Sequence, residues 1–367
     1  MRTYLVVLCL FLCVTFAASQ QFGPPANYRV GPDGCLPWAL VAGDFNNDGK
    51  PDLAVLNYYY QRVVILQNQG DGSFATASTM TVVNSPVSLA AGDFDGDGNL
   101  DLVVGEDHVN FNGTMQVFLG NGDGHFTAQA PNFVGNYPTS VAVADFNHDG
   151  KADILVGNYL SSNLGLLIFI GNGDGSFQPP AMYRVPGIFV ATTADLNGDG
   201  WPDVVLGTNT FGVAVLLNSG DGTLAAPVDY HVGAVGSLQI GDLNEDGKPD
   251  VLATGNDGLM VFLGNGDGTL GTPVLYRGNL AKIAVGDFNV DGKQDVAVTT
   301  PTGGSKLVLY YGNGDGTLQP RVSGHFDLGA YDLTSADFDG NGSPDLAAAI
   351  SIPHAVVSVL LNVQSSH

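Results

Sequence analysis

Short apolar runs alternate along the chain with clusters of Gly, Asn and Asp. In the third copy of this pattern, an apolar segment at 140–145 leads into an Asp-rich turn. Further apolar runs follow at 154–156 and 166–170, and a Pro-containing segment spans 177–185. Runs of this length between turn residues are typical of β-strands. No copy holds ten residues of helical periodicity free of Gly and Pro, so each predicts a four-stranded antiparallel meander.

The pattern occurs seven times. A nine-residue motif, first seen as Asp-Phe-Asn-Asn-Asp-Gly-Lys-Pro-Asp from Asp44, recurs in close variants beginning at residues 93, 145, 195, 242, 287 and 337. A second signature, Gly-Asp-Gly, a spacer and then Phe or Leu, follows each of the first six copies. Four strands in roughly 40–50 residues, repeated seven times, predict an all-β chain forming a seven-bladed β-propeller. A β-helix needs shorter repeats, and helical solenoids do not fit the turn chemistry. Although 367 residues suggest about two domains, the repeats leave no segment for a second one.

The two ends of the chain predict how the ring closes. The last repeat stops after its third strand and has no Gly-Asp-Gly signature. The missing strand is found at the other end, because residues 22–30 nearly repeat the fourth strand at 177–185. We therefore expect an N-terminal strand to complete the last blade and remove two exposed sheet edges.

Residues 1–19 have the pattern of a secretory signal peptide: Arg2, an apolar run at 5–16 and small residues at 17–19. The run is too short for a comfortable membrane span, so we expect cleavage without later membrane insertion. The propeller domain is then 20–367. The expected location is secreted, extracellular or at the cell surface, or periplasmic if the source is a Gram-negative bacterium. Cleavage leaves Cys35 as the single cysteine, so no intramolecular disulfide is expected.

The nine-residue motif assigns a chemical role to each position. Position one is always Asp, three is Asn or Asp, five is Asp or once Asn, six is always Gly, and nine is always Asp. Position seven accepts any side chain, so it can offer only its carbonyl. Oxygen ligands at these positions suit a hard cation, above all Ca²⁺, with up to seven ions bound, one per blade. Mg²⁺ prefers a more rigid octahedron, and Zn²⁺ would require His or Cys. The alternative, that Asp, Asn and Gly simply form turns, does not account for so many polar residues at fixed spacing. The candidate ligands are Asp44, Asn46, Asp48, Asp52, Asp93, Asp95, Asp97, Asp101, Asp145, Asn147, Asp149, Asp153, Asp195, Asn197, Asp199, Asp203, Asp242, Asn244, Asp246, Asp250, Asp287, Asn289, Asp291, Asp295, Asp337, Asp339, Asn341 and Asp345.

Charge follows from the same motif. The chain has 36 acidic and 12 basic residues, a net charge of −24, and 28 of the acids lie in the two repeated signatures. Phosphate backbones and anionic membranes attract basic surfaces, so no nucleic-acid or membrane partner is expected. The acidity is explained by cation sites. For Gly-Asp-Gly, a tight turn between the third and fourth strands is the favoured interpretation.

The motif resembles the FG-GAP repeat, also grouped as the VCBS-type repeat, of integrin-α-like seven-bladed propellers. The resemblance covers essentially the whole mature chain. It implies calcium in the loop between the first two strands of each blade, on the lower side, with ligands meeting the upper side. The family includes adhesion receptors, secreted fungal lectins and modules attached to polysaccharide-degrading enzymes.

Candidate ligand-binding residues are aromatic and not repeated between blades. No Gly-x-Ser-x-Gly, His-Glu-x-x-His or phosphate-loop motif occurs, and Glu106-Asp107-His108, the one local acid–base cluster, is expected to be a solvated loop. We therefore expect a non-catalytic, monomeric recognition module for a glycan or extracellular protein. The alternative is an enzyme or accessory module acting on polysaccharides. The upper-face aromatics would contact the ligand, or else only plug the channel and pack loops. They are Trp38, Tyr58, Tyr59, Tyr159, Phe189 and Tyr331.

Overall fold

The computed structural model describes residues 21–32, 35–108, 112–160, 165–301, 306–320, 322–327, 330–350 and 355–364. The predicted signal peptide at 1–19 lies outside these residues. Within them, no helix is long and apolar enough to span a membrane.

The strands form seven antiparallel sheets, numbered here as blades one to seven. Blade one contains β2 (Pro37–Gly43), β3 (Asp52–Asn57), β4 (Arg62–Asn68) and β5 (Phe74–Thr81). Blade two contains β6 (Ser85–Gly92), β7 (Asp101–Asp107), β8 (Gly113–Gly120), β9 (Phe126–Ala128) and β10 (Asn132–Gly135). Blade three contains β11 (Ser140–Ala144), β12 (Asp153–Gly157), β13 (Leu166–Phe169) and β14 (Ala181–Tyr183). Blade four contains β15 (Ile188–Ala194), β16 (Asp203–Thr208), β17 (Gly212–Leu216) and β18 (Val228–His231).

The remaining blades follow the same order. Blade five contains β19 (Val235–Gly241), β20 (Asp250–Gly255), β21 (Gly258–Phe262) and β22 (Val274–Arg277). Blade six contains β23 (Ile283–Gly286), β24 (Asp295–Thr299), β25 (Lys306–Tyr310) and β26 (Val322–Asp327). Blade seven contains β27 (Ala330–Ala336), β28 (Asp345–Ile350), β29 (Val356–Leu360) and, from the other end of the chain, β1 (Ala26–Arg29).

The predicted seven-bladed propeller is confirmed. The first strands of consecutive blades pack side by side around a central axis, and β27 of the last blade returns to β2 of the first. The predicted N-terminal closure is also present, since β1 pairs antiparallel with β29 from Ala26 opposite Val359 to Arg29 opposite Val356. The fourth strands are shorter than expected: the segment predicted at 177–185 contributes only β14 and a single bridge from Gly171 to Phe177. In blade two the outer strand is divided into β9 and β10, both paired with β8, because Pro131 lies between them and has no N–H to donate.

The core lies between the blades. Seven buried apolar clusters are present among the described residues, and each combines side chains of two neighbouring blades. Phe94 of blade two, for example, packs in one cluster with Ile154 and Val156 of blade three. The Phe or Leu at position two of every motif is buried, so each Asp-rich loop is fixed to a junction between blades.

A hydrogen bond crosses each of the seven junctions beside these loops. In every case the backbone carbonyl at position two accepts a hydrogen bond from the next blade around the ring. In four junctions the donor is the backbone N–H of a Gly-Asp-Gly turn, as in Gly124 N to Phe45 O at 3.0 Å; in three it is an Asn amide, as in Asn218 Nδ2 to Phe146 O at 2.8 Å. The other donor–acceptor pairs are Gly175–Phe94, Gly268–Leu196, Gly316–Leu243, Asn362–Phe288 and Asn68–Phe338. In four blades the second signature therefore acts both as a turn and as a link to the preceding blade.

Candidate functional sites

The Asp-rich loops all lie at the lower face, between the first and second strands of each blade. In the first loop, Asp48 N donates to Asp44 Oδ1 at 3.1 Å, Gly49 N donates to Asp44 Oδ2 at 2.8 Å, and Lys50 N donates to Asp48 Oδ1 at 3.0 Å. Similar bonds recur in the other loops, for example around Asp145 and Asp287. The backbone thus winds around the side chains of positions one, three and five, while Gly at position six takes a positive φ in each copy, +81° at Gly49.

The Asp at position nine is fully buried and has a structural role that the sequence did not reveal. Both oxygens of Asp52 accept backbone hydrogen bonds: Oδ2 from Phe45 N at 3.2 Å, and Oδ1 from Asn68 N at 2.7 Å. The equivalent Asp accepts the same pair of bonds in the other blades, except that in blade six the loop donor is Asn289 N at position three instead of the N–H at position two. This carboxylate therefore ties its loop to the end of the third strand. Asn would offer a single acceptor atom there.

Burial also changes the acidity of position nine. Desolvation, opposed by the two backbone hydrogen bonds and reinforced by nearby carboxylates, raises the pKa of Asp52 to about 6. Asp101, Asp153, Asp295 and Asp345 have their pKa raised to about 6 for the same reasons. The pKa values of Asp203 and Asp250 are raised in the same direction.

The carboxylates converge as a cation site requires. In the second loop, ligand atoms of Asp93, Asp95 and Asp101 lie within 4.8 Å of one another, and in the seventh loop so do those of Asp337, Asp339 and Asp345. The other loops have Asn at position three. The donor set is entirely oxygen, and the backbone hydrogen bonds leave lone pairs on each carboxylate. These residues fit Ca²⁺ by ligand type and charge.

A cavity of about 620 Å³ opens on the axis at the upper face. The first strands of the blades enclose it, and the residues at one equivalent position near the start of the first strand line it in six of the seven blades: Trp38, Val87, Thr139, Phe189, Gly236 and Tyr331. Three of the predicted upper-face aromatic residues, Trp38, Phe189 and Tyr331, therefore line the cavity. Ala281, the seventh, lies in an adjoining pocket that shares Phe189, Gly236 and Lys282 with the cavity.

The candidate aromatic residues form two clusters at this mouth. The ring of Trp38 lies 5.5 Å from that of Tyr58 and 5.3 Å from that of Tyr331, and Tyr59 continues the first cluster with 66 % of its surface exposed. In the second cluster Tyr159 stacks on Phe189, with ring centroids 4.7 Å apart and planes at 17°. The channel-packing interpretation holds in part for Trp38, whose Nε1 donates to Val87 O of the next blade at 3.0 Å.

Three further residues at the cavity were missed by the sequence. Tyr137 lines it with a positive φ of 59° and contacts Tyr159. Lys282 and Asp332 line it from blades six and seven, each directly following a mouth position. Burial raises the pKa of Asp332 and the positive charge of Lys282 opposes the rise, while Asp332 Oδ2 accepts a hydrogen bond from Leu40 N at 3.0 Å.

The expected solvated loop at Glu106-Asp107-His108 is wrong for Glu106. This residue belongs to β7 and is fully buried, and its Oε2 accepts hydrogen bonds from the backbone and side-chain amides of Asn84. Desolvation raises the pKa of its carboxyl group. The carboxyl lies inside the blade packing, where a polysaccharide cannot reach it.

The fold and the seven repeated loops define a repeat β-propeller with candidate cation sites on one face and an axial cavity on the other. The chain belongs to the FG-GAP-like repeat family: the family model matches residues 44–104, 108–156, 159–206, 195–253, 242–298 and 287–348. The FG-GAP repeat model matches residues 137–176 as well. No curated protein matches the chain.

Solved structures share the architecture. One is a lectin from Agrocybe aegerita that specifically recognises non-reducing terminal N-acetylglucosamine. It is 20% identical to this chain with a TM-score of 0.57, and the match covers 90% of this chain and 86% of the lectin. BBS1N, in complex with ARL6DN, is 11% identical with a TM-score of 0.65, covering 95% of this chain and 99% of its own in a lead-soaked crystal. A mercury-soaked crystal gives a TM-score of 0.66. At these identities the similarity shows the fold.

Proposed function

We propose that this protein is a secreted, calcium-stabilised recognition module that binds a glycan or an extracellular protein through its upper face, without catalysis. The observation that carries the proposal is the pair of aromatic clusters at the mouth of the axial cavity. Aromatic rings that are exposed on one side supply contact area at low entropic cost, which is why Tyr and Trp are enriched in binding surfaces.

The contrast between the two faces supports this assignment. Lower-face residues recur in every blade, and their side chains are occupied by hydrogen bonds that shape the loops. Upper-face residues differ between blades: the position of Phe189 holds an aromatic residue in two other blades, as Trp38 and Tyr331, and a non-aromatic residue in the remaining four. A selected ligand site needs particular side chains at particular places, whereas a structural repeat needs the same ones everywhere.

Glycans are the first ligand class to test. The lectin from Agrocybe aegerita shares this fold, and sugar sites combine aromatic surfaces with hydroxyl and amide groups, as the cavity does through Phe189, Ser237 and Gln239. Catalysis on polysaccharides is less well supported, because the carboxyl of Glu106 is enclosed in the blade.

The test is binding to a glycan array with calcium and after its removal. We expect at least one glycan to bind, and we expect Tyr59→Ala to weaken that binding with little change in melting temperature, because the side chain is 66 % exposed. Phe133→Ala is the matched control, since this residue is 56 % exposed on the outer strand of blade two. Sugar release from a polysaccharide, or ligand binding that Tyr59→Ala and Phe189→Ala both leave unchanged, would contradict the proposal.

A further inference from the structure

The wall of the axial cavity combines charged, polar, apolar and aromatic groups. Its charged side chains, Lys282 and Asp332, come from the neighbouring blades six and seven, and blade five adds Ser237 and Gln239 beside them. Trp38, Phe189 and Tyr331, which belong to the two aromatic clusters, line the same cavity. We propose that the cavity is a single site for the terminal residue of an uncharged glycan, inserted along the propeller axis. This inference rests on the proposed recognition function and specifies its ligand.

The fold requires a hydrogen-bond acceptor at Asp332, but not a negatively charged one. Its Oδ2 accepts a hydrogen bond from Leu40 N of the next blade. In blade three the neutral hydroxyl of Ser140 does the same for Ala191 N of the next blade, at 2.9 Å. Because a serine satisfies the equivalent N–H, the negative charge of the half-buried Asp332 is not needed for this hydrogen bond. The positive charge of Lys282 partly compensates it, and a ligand hydroxyl that donates to the carboxylate would add to that compensation.

Lys282 adds a positively charged hydrogen-bond donor beside the carboxylate of Asp332. Its ammonium group is a donor only, and the carboxylate of Asp332 is an acceptor only. A sugar hydroxyl both donates and accepts, so neighbouring hydroxyls on one ring can bond to both groups. The pair is neutral in sum, and the chain has a net charge of −24. An anionic sugar would be repelled by Asp332 and by the chain as a whole, so the charges favour an uncharged ring.

The shape of the cavity favours a chain end. The volume of about 620 Å³ lies within the roughly 300–1,000 Å³ typical of small-molecule sites. The first strands of seven blades surround it, so an internal segment of a polysaccharide has no lateral path through it. One ring can enter between the Phe189–Tyr159 stack and the Trp38–Tyr331 pair, with its hydroxyls toward Lys282 and Asp332. Since blades one to five have no charged residue at the position of Lys282 and Asp332, we expect one site per chain.

The test is calorimetric titration with methyl glycosides of neutral pyranoses, with methyl glucuronide as the anionic comparison. We expect one neutral glycoside to bind with a stoichiometry of one and with little dependence on salt. Asp332→Asn keeps an acceptor for Leu40 N, and Lys282→Gln keeps a polar donor; each should weaken binding about tenfold or more, equivalent to about 1.4 kcal/mol. The matched controls are Asp229→Asn and Lys306→Gln, both at exposed positions outside the cavity, and these should bind as the unaltered protein does.

Several outcomes would overturn the axial site. These are several sites per chain, a preference for the glucuronide that salt abolishes, or absence of binding by every neutral glycoside at about 10 mM. Glycan binding that survives both Lys282→Gln and Asp332→Asn would refute the axial site while leaving the recognition function intact. Loss of glycan binding in Tyr59→Ala with no effect of the cavity variants would place the ligand on the rim and also refute it.

Discussion

Removal of calcium should destabilise the protein at neutral pH but much less in mild acid. The metal is removed on a chelating resin before the pH is set. No soluble chelator is then present whose own protonation would change the calcium concentration between the two pH values. In the metal-free fold the buried position-nine carboxyls compete for protons, because their pKa lies above the unfolded value. The pKa of Asp52 rises from 3.8 to about 6, and four other blades contain the same shift.

The sign of the effect follows from proton linkage. A carboxyl whose pKa is higher in the folded state binds more protons folded than unfolded between pH 4 and 6, so stability falls as pH rises through this range. A rise of about two pKa units corresponds to about 3 kcal/mol for each such carboxyl. In the metal-free fold this contribution is complete below about pH 4, decreases as the pH rises through about 6, and is lost at pH 7.5.

Calcium should reverse the loss at neutral pH. Extracellular calcium modules bind with dissociation constants on the order of 10⁻⁴–10⁻³ M. At about 2 mM calcium each loop then contributes about 0.6–1.8 kcal/mol, and seven loops about 5–13 kcal/mol. In acid the gain should shrink, because calcium must displace protons from position nine.

The assay is the melting temperature by scanning calorimetry at pH 5 and pH 7.5, with calcium, without it and with magnesium. We expect a large rise with calcium at pH 7.5, a small rise at pH 5 and little effect of magnesium. Asp195→Ala should remove one site and a fraction of the effect. A metal-free protein that melts at the same or a higher temperature at pH 7.5 than at pH 5 would exclude the proton linkage at position nine. Equal melting with and without calcium at pH 7.5, or elemental analysis showing one ion or none per chain, would refute the metal sites themselves.

Three stability predictions follow from the fold. Val290 is a β-branched residue with a φ of +59° at position four of its loop, so Val290→Asn should raise the free energy of unfolding by about 1 kcal/mol. Gly198→Val, at the same position of another loop and with no atom within 4 Å of the added Cβ, should lower it by a similar amount. Calorimetry that finds no change in either variant would contradict the backbone strain. Tyr230 accepts a hydrogen bond from Leu270 N of the next blade at 2.7 Å, so Tyr230→Phe should cost about 1–2 kcal/mol in chemical unfolding, and unchanged stability would mean that water replaces the phenol. Deletion of residues 22–30 should leave an open edge on blade seven and cause aggregation on gel filtration; a monomer with native melting would show that the ring closes without β1.

The fold could be predicted from the sequence because its unit is repeated seven times. Much of the candidate site could not, because it depends on residues that are not repeated or on hydrogen bonds between residues far apart in the sequence. The likeness of residues 22–30 to the fourth strand at 177–185 was sufficient to place β1. No sequence pattern near Asp52 predicts that it accepts a hydrogen bond from Asn68 N, because Asn68 lies at the far end of the next strand, β4. Lys282 and Asp332 were overlooked because simple strand alternation turns the residue after an inward-facing one away from the axis. The structure instead has a register shift between Ala330 and Asp332, and a bulge of this kind lets successive residues line the same side.

The pairing of β1 with β29 determines how the molecule can be attached to anything else. Phe22 bridges to Asn362, and Gln21 and Asn362 both reach the carbonyl of Phe288 in an Asp-rich loop, so both ends of the described chain leave at the lower face. A tether, tag or fused segment at either end would therefore hold the propeller by its loop side and direct the axial cavity outward. On a sensor surface or in a larger assembly, the same arrangement leaves the upper face free for contact.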